Sequence, residues 1–168
     1  AASPPWDEAT ITAIRRDIHA HPELCFEEQR TSDLIAKALG DWGIPVHRGL
    51  GKTGVVGILK NGSSDRAVGL RADMDALPMT EHNRFEHASR HPGRMHACGH
   101  DGHTAMLLAA AQHLQARAER GLGGPAAGAV DGQLPDALEE RRREPALEPD
   151  AGEVVGLGQD GHLPRHAQ

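Results

Sequence analysis

The chain contains very few large aromatic side chains. Aromatic residues make up 2% of its 168 residues, and tyrosine is absent. Aromatic residues dominate the buried area of many cores, so a core here must be built mainly from aliphatic side chains. No segment approaches the roughly 18 consecutive apolar residues that a membrane-spanning helix needs. The net charge of −6 means that the chain has no excess of basic residues with which to bind nucleic acid. These absences predict a protein that binds neither membrane nor nucleic acid.

Cysteine is also scarce. The two cysteines, Cys25 and Cys98, are far apart and form no disulfide framework. Residues 1–5 lack the charged and apolar regions of a secretory signal. We therefore expect a cytoplasmic protein.

Hydrophobic periodicity divides the chain into a globular part and a tail. We predict an N-terminal extension at 1–8, a folded domain at 9–116 and a tail at 117–168. The turn signal Asn61-Gly62 suggests a hairpin between the two strands that flank it. The order of elements predicts an α/β fold with helices packed on a sheet. The periodic segments are a helix through 11–18, a helix through 34–42, strands at 44–47, 53–59 and 67–70, and a long helix from 104.

The tail has a different composition from the rest of the chain. Gly and Pro make up 14 of its 52 residues, and it lacks Ile, Phe, Trp, Met and Lys. Such a segment cannot bury enough apolar surface to offset the entropy of ordering, so we predict that it is disordered. Its ten residue types all have codons beginning with G or C, which suggests reading in a shifted frame. A genuine low-complexity tail is the alternative.

A cluster of metal-binding side chains occupies residues 95–103, Met-His-Ala-Cys-Gly-His-Asp-Gly-His. The thiolate of Cys98 and the imidazole of His100 suit borderline-soft divalent metals. Gly99 between them permits an irregular backbone, so both can reach one ion. The cluster precedes the long helical pattern and is expected on a loop at a helix N-terminus. By itself a Cys-x-His pair is more often a packing or surface feature.

Two carboxylates, Asp73 and Asp75, follow the strand predicted at 67–70. Carboxylates at the carboxyl end of a strand project into the crevice where open α/β sheets place their sites. One of them can orient a ligand histidine by hydrogen bonding to its second ring nitrogen. A turn that ends the strand, helped by Pro78, explains the same residues equally well.

Four ordered motifs resemble one family of enzymes. The chain is similar to the N-terminal part of the metal-dependent amidohydrolases that include hippurate hydrolase, N-acyl-amino-acid amidohydrolases and auxin-conjugate hydrolases. The resemblance covers roughly residues 9–116. The motifs are RRDIHAHPEL at 15–24, GKTGVVG at 51–57, GLRADMDALP at 69–78 and MHACGHDGHT at 95–104.

The resemblance implies a two-metal, aminopeptidase-like catalytic domain, of which this chain holds the N-terminal part. It implies Mn, Zn or Co as the metal, a small N-acyl-amino acid as substrate, and a homo-oligomer whose dimerisation domain is missing here. It places metal ligands at Cys98 and His100 and a supporting carboxylate at Asp75. Asp73 is not assigned as a ligand, although Asp73 or His103 could assist.

The chain also departs from the family. The Gln-Pro-Ala-Glu-Glu-Gly segment, whose first Glu is the general base and whose second is a ligand, does not occur. Glu139-Glu140 lies in a charged run without that context, and His162 and His166 have no family motif around them. We therefore expect a fragment of an N-acyl-amino-acid amidohydrolase that is inactive as it stands. The alternatives are a residual metal-binding module without turnover, and a scaffold protein, which would not explain the four motifs.

Overall fold

The computed structural model describes residues 6–62, 67–121 and 153–156. They form three helices and four strands, which confirms the predicted α/β class. No helix among these residues is long and apolar enough to cross a membrane. The elements are α1 (Glu8–Ala20), α2 (Gln29–Asp41), β1 (Val46–Leu50), β2 (Gly54–Gly57), β3 (Leu70–Asp73), α3 (His100–Glu119) and β4 (Glu153–Gly156).

A capping side chain sets the start of helix α1, and a proline after it sets the end. The Asp7 carboxylate accepts hydrogen bonds from the backbone N–H groups of Ala9 at 3.1 Å and Thr10 at 3.3 Å. These donors have no partner within the helix, so the cap stabilises its first turn. The helix ends at Ala20, next to His21, because the following proline disfavours helical backbone at the residue before it.

The first turn of helix α2 is capped by a residue earlier in the chain and not by the side chain of its own N-cap residue. The Glu28 side chain makes no capping hydrogen bond. Instead, the two carboxylate oxygens of Glu23 accept the backbone N–H groups of Arg30 at 3.0 Å and Thr31 at 2.7 Å. A carboxylate at this end of a helix also interacts favourably with the helix dipole. At the other end, Gly43 takes a positive φ of 75° and stops the helix.

The strands form one mixed sheet in the order β1-β2-β4-β3. Strands β1 and β2 pair antiparallel, β2 pairs parallel with β4, and β4 pairs antiparallel with β3. The hairpin predicted around Asn61-Gly62 is therefore wrong. The hairpin is formed by β1 and β2, and β4 separates β2 from β3.

Strand β3 is displaced from its predicted position. The predicted strand at 67–70 ends where β3 begins, at Leu70. The polar residues Arg71 and Asp73 fit within the strand because the Arg71 guanidinium lies 2.7 Å from an Asp73 carboxylate oxygen. Sequence periodicity favours the apolar run and cannot detect such a pair.

Strand β4 falls inside the tail that was predicted to be disordered. Its four residues pair along their backbones with both β2 and β3, so for them the prediction is wrong. The physical reason is that two strands separated by a gap offer unpaired N–H and C=O groups on both sides. The rest of 117–168, apart from the end of α3 up to residue 121, lies outside the described residues. The domain boundary at 116 stays a prediction.

The core is aliphatic, as the composition predicted. It lies where α2 and α3 pack against the sheet. Gly57 of β2 lets α2 and the loop after it approach the sheet, because a Cβ built there would lie 3.1 Å from Ile44 and 3.2 Å from Leu39. The buried cluster consists of Ile35, Leu39, Ile44, Val55, Met74 and Leu108.

We expect Leu108→Ala to destabilise the fold strongly. Leu108 has no exposed surface, and truncating a buried leucine costs about 2–5 kcal/mol in transfer energy and residual cavity. Met106 is 63% exposed on the same helix, so Met106→Ala should change the unfolding free energy by less than about 0.5 kcal/mol. Urea unfolding followed by circular dichroism measures both. Equal losses for the two variants would contradict the described placement of α3.

Candidate metal centre

Three chain segments meet beyond the carboxyl end of β3. The segment after β3 pairs with the loop between α1 and α2, through the Ala76 N–H donating to the Glu23 carbonyl at 2.7 Å. It also pairs with the loop before α3, where Leu77 and Met95 exchange two backbone hydrogen bonds of 2.9 and 3.1 Å. These bonds bring Asp75 and the 95–103 motif together, as the sequence predicted.

Asp75 orients the ring of His100. Nδ1 of His100 lies 2.8 Å from Oδ1 of Asp75 and 3.0 Å from the Asp75 carbonyl oxygen. Both neighbours are acceptors, so Nδ1 carries the proton and donates. Nε2 is then the nitrogen with a lone pair for a metal. The side chains are 16% and 12% exposed, so the pair is partly shielded from water.

Cys98, two residues before His100 in the chain, is an exposed free thiol. His100 is the first residue of α3, and Gly99 before it is the N-cap with a left-handed φ of 86°. Only glycine takes that backbone conformation without strain. The predicted loop at a helix N-terminus is therefore confirmed for 95–99, whereas 100–103 form the first turn of α3, which begins before the predicted start at 104. One turn further on, the rings of His100 and His103 lie 5.7 Å apart.

The described residues supply only part of a metal centre. Among them, no three His, Cys, Asp or Glu side chains lie together in a way that could hold an ion. Cys98 and His100 are suitable donors, and the Asp75 hydrogen bond leaves the correct His100 nitrogen available. Catalytic zinc sites normally use three protein ligands, so the donor set fits a divalent metal only as a partial site.

Asp73 and His103 could assist as metal ligands according to the sequence. Among the described residues, neither of them completes a group of three side chains that could hold an ion. The backbone oxygen of Asp73 accepts a hydrogen bond from the Thr104 hydroxyl at 3.1 Å, and its carboxylate faces Arg71. Asp73 therefore joins β3 to α3. Glu139, Glu140, His162 and His166 lie outside the described residues.

A second histidine–carboxylate cluster, which sequence reasoning missed, lies beside the first. His19 of α1 is 8% exposed. Its Nδ1 lies 3.0 Å from an oxygen of Asp101 and its Nε2 lies 3.2 Å from one of Glu81. Arg15 approaches Asp101 at 3.2 Å. Burial alone would raise the pKa of Asp101, but His19, His96 and Arg15 together lower it.

His96 lies between the two clusters. It is 4% exposed, and within the described structure neither ring nitrogen has a hydrogen-bond partner. Burial, with a smaller effect of the nearby His19 and His100, outweighs the opposing Asp101 and lowers the pKa of His96 to about 4. His96 is thus neutral near pH 7. The alternation of His and small residues in the 95–103 motif could have signalled a buried imidazole, but not which one.

Glu81 anchors the irregular segment between β3 and α3. Its carboxylate accepts hydrogen bonds from the Ser89 backbone N–H at 2.6 Å and the Asn83 side-chain amide at 2.9 Å. The Phe85 and His87 rings stack with centroids 4.3 Å apart, and both contact the ring of His19. No periodic pattern marks this segment, so sequence analysis could not locate it.

Known proteins are similar to the part of the chain that carries this site. Residues 69–127 match the model of Peptidase family M20/M25/M40. This range includes β3, Asp75 and the 95–103 motif.

Relatives and a solved structure give finer similarities. The chain is 48% identical over 131 residues to hippurate hydrolase of Campylobacter jejuni, covering 71% of the chain and 34% of that protein. It is 50% identical over 102 residues to N-acyl-L-amino acid amidohydrolase of Geobacillus stearothermophilus, covering 61% of the chain and 28% of that protein. The chain thus spans about a third of these relatives.

Among solved structures, the chain resembles the YXEP protein of Bacillus subtilis, described as a dinuclear metal binding peptidase from the M20 family. The TM-score is 0.56 at 26% identity, with 88% of this chain and 34% of that chain covered. The predicted resemblance to a dinuclear metallohydrolase fold is confirmed.

We expect Glu81→Gln to weaken the fold above pH 4.5. Burial raises the pKa of Glu81, but hydrogen bonds from Ser89, Asn83 and His19 outweigh it, and the net pKa is lowered. The ionised group therefore contributes stability that is present above the unfolded value of 4.5 and is lost as pH falls through the lowered folded pKa.

At neutral pH the loss should be about 1–3 kcal/mol, because hydrogen bonds to a charged group are replaced by weaker ones. Thermal or urea unfolding of both proteins across an acid pH series measures the difference, which should shrink on acidification. Glu86→Gln, in the exposed part of the same segment, is the control. A difference that does not change with pH would refute the role of the Glu81 charge.

Proposed function

We propose that this chain is part of a metal-dependent amidohydrolase that cleaves the amide joining an acyl group to an amino acid. One observation carries the proposal. Asp75 holds Nδ1 of His100 at 2.8 Å, and the free thiol of Cys98 stands two residues away. A carboxylate that fixes the tautomer of a histidine is the usual support of a metal ligand.

The substrate class rests on the similarity to hippurate hydrolase and to an N-acyl-L-amino acid amidohydrolase. The substrate proposed is a small N-acyl-amino acid of the hippurate type. We also propose a cytoplasmic location and a homo-oligomeric state for the intact enzyme. The chain spans 34% of the first relative and 28% of the second, so these properties concern the whole protein.

The described residues have limited roles in this mechanism. Cys98 as a thiolate and His100 through Nε2 would hold a divalent ion, and Asp75 would keep the His100 ring in position. When bound, such an ion acidifies a water molecule and polarises a carbonyl group. Thiolate and imidazole favour Zn²⁺ or Co²⁺, and nearby carboxylates also admit Mn²⁺.

A residual metal-binding module without turnover is the second candidate. It is favoured by the absence, among the described residues, of any group of three side chains that could hold a metal. The two candidates share Cys98 and His100 and differ only in catalysis. They are separated by measuring turnover and metal binding independently.

We expect the purified chain to show no hydrolysis of hippurate above the rate with metal alone. No described residue takes the place of the general base, and one such group contributes about 10²–10⁴ in rate. Released benzoate is measured by chromatography, with intact Campylobacter hippurate hydrolase as the positive control. Turnover within tenfold of that enzyme would refute the predicted inactivity and favour a complete site.

We expect Co²⁺ to bind weakly and to give a thiolate-to-metal charge-transfer band in the near ultraviolet. The band should disappear in Cys98→Ser, because the thiolate is its source. Cys25→Ser is a matched control, since both cysteines are exposed and only Cys98 lies in the motif. Identical spectra for the original chain and Cys98→Ser would exclude Cys98 as a ligand.

A further inference from the structure

We propose that Glu28 is a positioning residue, whose buried carboxyl group locks the loop at 21–28 onto the β1–β2 turn and so holds Asp75 against His100. The inference deepens the proposed function and rests on it, since it concerns the support of the same candidate site. Neither the motif cluster nor the resemblance assigns a role to Glu28.

Glu28 is unusual among the charged residues of the structure. It is fully buried, with 0% exposed surface. Its Oε2 accepts a hydrogen bond from the hydroxyl of Thr53 at 2.7 Å, and Thr53 is itself 1% exposed. Oε1 has no partner within the described structure. The side chain does not cap α2, and its side-chain hydrogen bond crosses to Thr53 in the β1–β2 turn.

The two segments that this hydrogen bond joins are both strained. Phe26 and Lys52 have positive φ angles of 64° and 74°, and they are the non-glycine residues of the described chain that do so. Such a backbone conformation is unfavourable for a non-glycine residue and persists only where its surroundings impose it. The Lys52 ammonium lies 5.0 Å from the centroid of the Phe26 ring, so the strained residues contact each other directly.

The locked loop is connected to the candidate site through one residue. The Glu23 carbonyl accepts the Ala76 N–H at 2.7 Å, next to Asp75. Leu24 and Ala76 form a parallel bridge at the same point. A shift of the loop therefore shifts the backbone adjoining Asp75, and with it the carboxylate that lies 2.8 Å from Nδ1 of His100.

The charges around Glu28 favour a neutral carboxyl group. No cation pairs with it within the described residues, and the charge that acts on it is the Asp75 carboxylate, of the same sign. Burial raises its pKa, and hydrogen bonds from the Thr53 hydroxyl and from the backbone of Phe26 and Glu28 oppose the rise only in part. The other charged groups of the loop are engaged elsewhere, Glu23 with α2 and Glu27 with Arg94 at 3.1 Å. The Lys52 ammonium is directed to the Phe26 ring.

The test compares Glu28→Gln with Glu28→Ala in the whole chain. Glutamine keeps an oxygen for Thr53 and stays neutral, whereas alanine removes the contact. Glu27→Ala is the control, because Glu27 belongs to the same loop but is exposed. The first measurement is the ¹⁵N NMR signature of the His100 ring in metal-free protein. We expect an Nδ1-protonated ring in the original chain, Glu28→Gln and Glu27→Ala, and a tautomer mixture in Glu28→Ala.

The second measurement is Co²⁺ affinity, which should fall at least about tenfold in Glu28→Ala and stay unchanged in Glu28→Gln. Thr53→Val removes the same hydrogen bond and should act in the same direction, which keeps the proposal testable if Glu28→Ala does not fold. An unaltered His100 ring in folded Glu28→Ala or Thr53→Val would overturn the proposal. An equal loss of Co²⁺ affinity in Glu28→Gln and Glu28→Ala would also overturn the proposal.

Stability against pH gives a third measurement. A raised folded pKa means that the stability from Glu28 is fully present below its unfolded value of 4.5 and is lost as pH rises through the folded pKa. The original chain should therefore lose stability relative to Glu28→Gln on raising the pH, and parallel curves would contradict a neutral Glu28. The His100 measurement needs no metal, so failure of the cobalt band alone would count against the proposed function and not against this inference.

Discussion

The hydrogen bond from Nδ1 of His100 to Asp75 is the contact on which the candidate site depends. It selects the tautomer of the ring and leaves Nε2 for a ligand. Its two ends come from different elements, since Asp75 follows β3 and His100 begins α3. The side-chain hydrogen bond therefore requires the sheet, the helix and the loops between them to be in place together. Backbone bonds from Ala76 and Leu77 to neighbouring loops provide that placement.

Buried carboxylates achieve this placement by different means. Glu23 stabilises the first turn of α2, Glu81 accepts three donors and holds the irregular segment, and Asp101 faces His19 and Arg15. Each is compensated by donors or by positive charge, which burial of an ionised group requires. Glu28 differs because burial outweighs its hydrogen bonds. The pKa of the same side-chain type is thus shifted in opposite directions, raised at Glu28 and lowered at Glu81.

The sequence predicted the contact between Asp75 and His100 better than it predicted the sheet, and the metal ligands at Cys98 and His100 stay a prediction. The Cys98–His100 spacing, Gly99 and the carboxylate after a strand are local features, and local features survive folding. The helices followed from the spacing of Ile11, Ile14 and Ile18 and from Gly43. The assumed hairpin after β2 failed because strand pairing depends on residues that are distant in the chain. The roles of His19, Glu23, Glu28 and Glu81 were missed for the same reason, since each partner lies in another element.

The position of β4 has a consequence for the order of assembly. Val55 of β2 pairs with Val154, about a hundred residues further along the chain. Closing so long a loop carries an entropic cost that must be met before any pairing energy is gained, and folds rich in such contacts form slowly. During synthesis β2 and β3 emerge first, with facing edges still unpaired. Until residues 153–156 arrive, those edges are templates for other chains, so the nascent protein passes through a stage that is prone to aggregation.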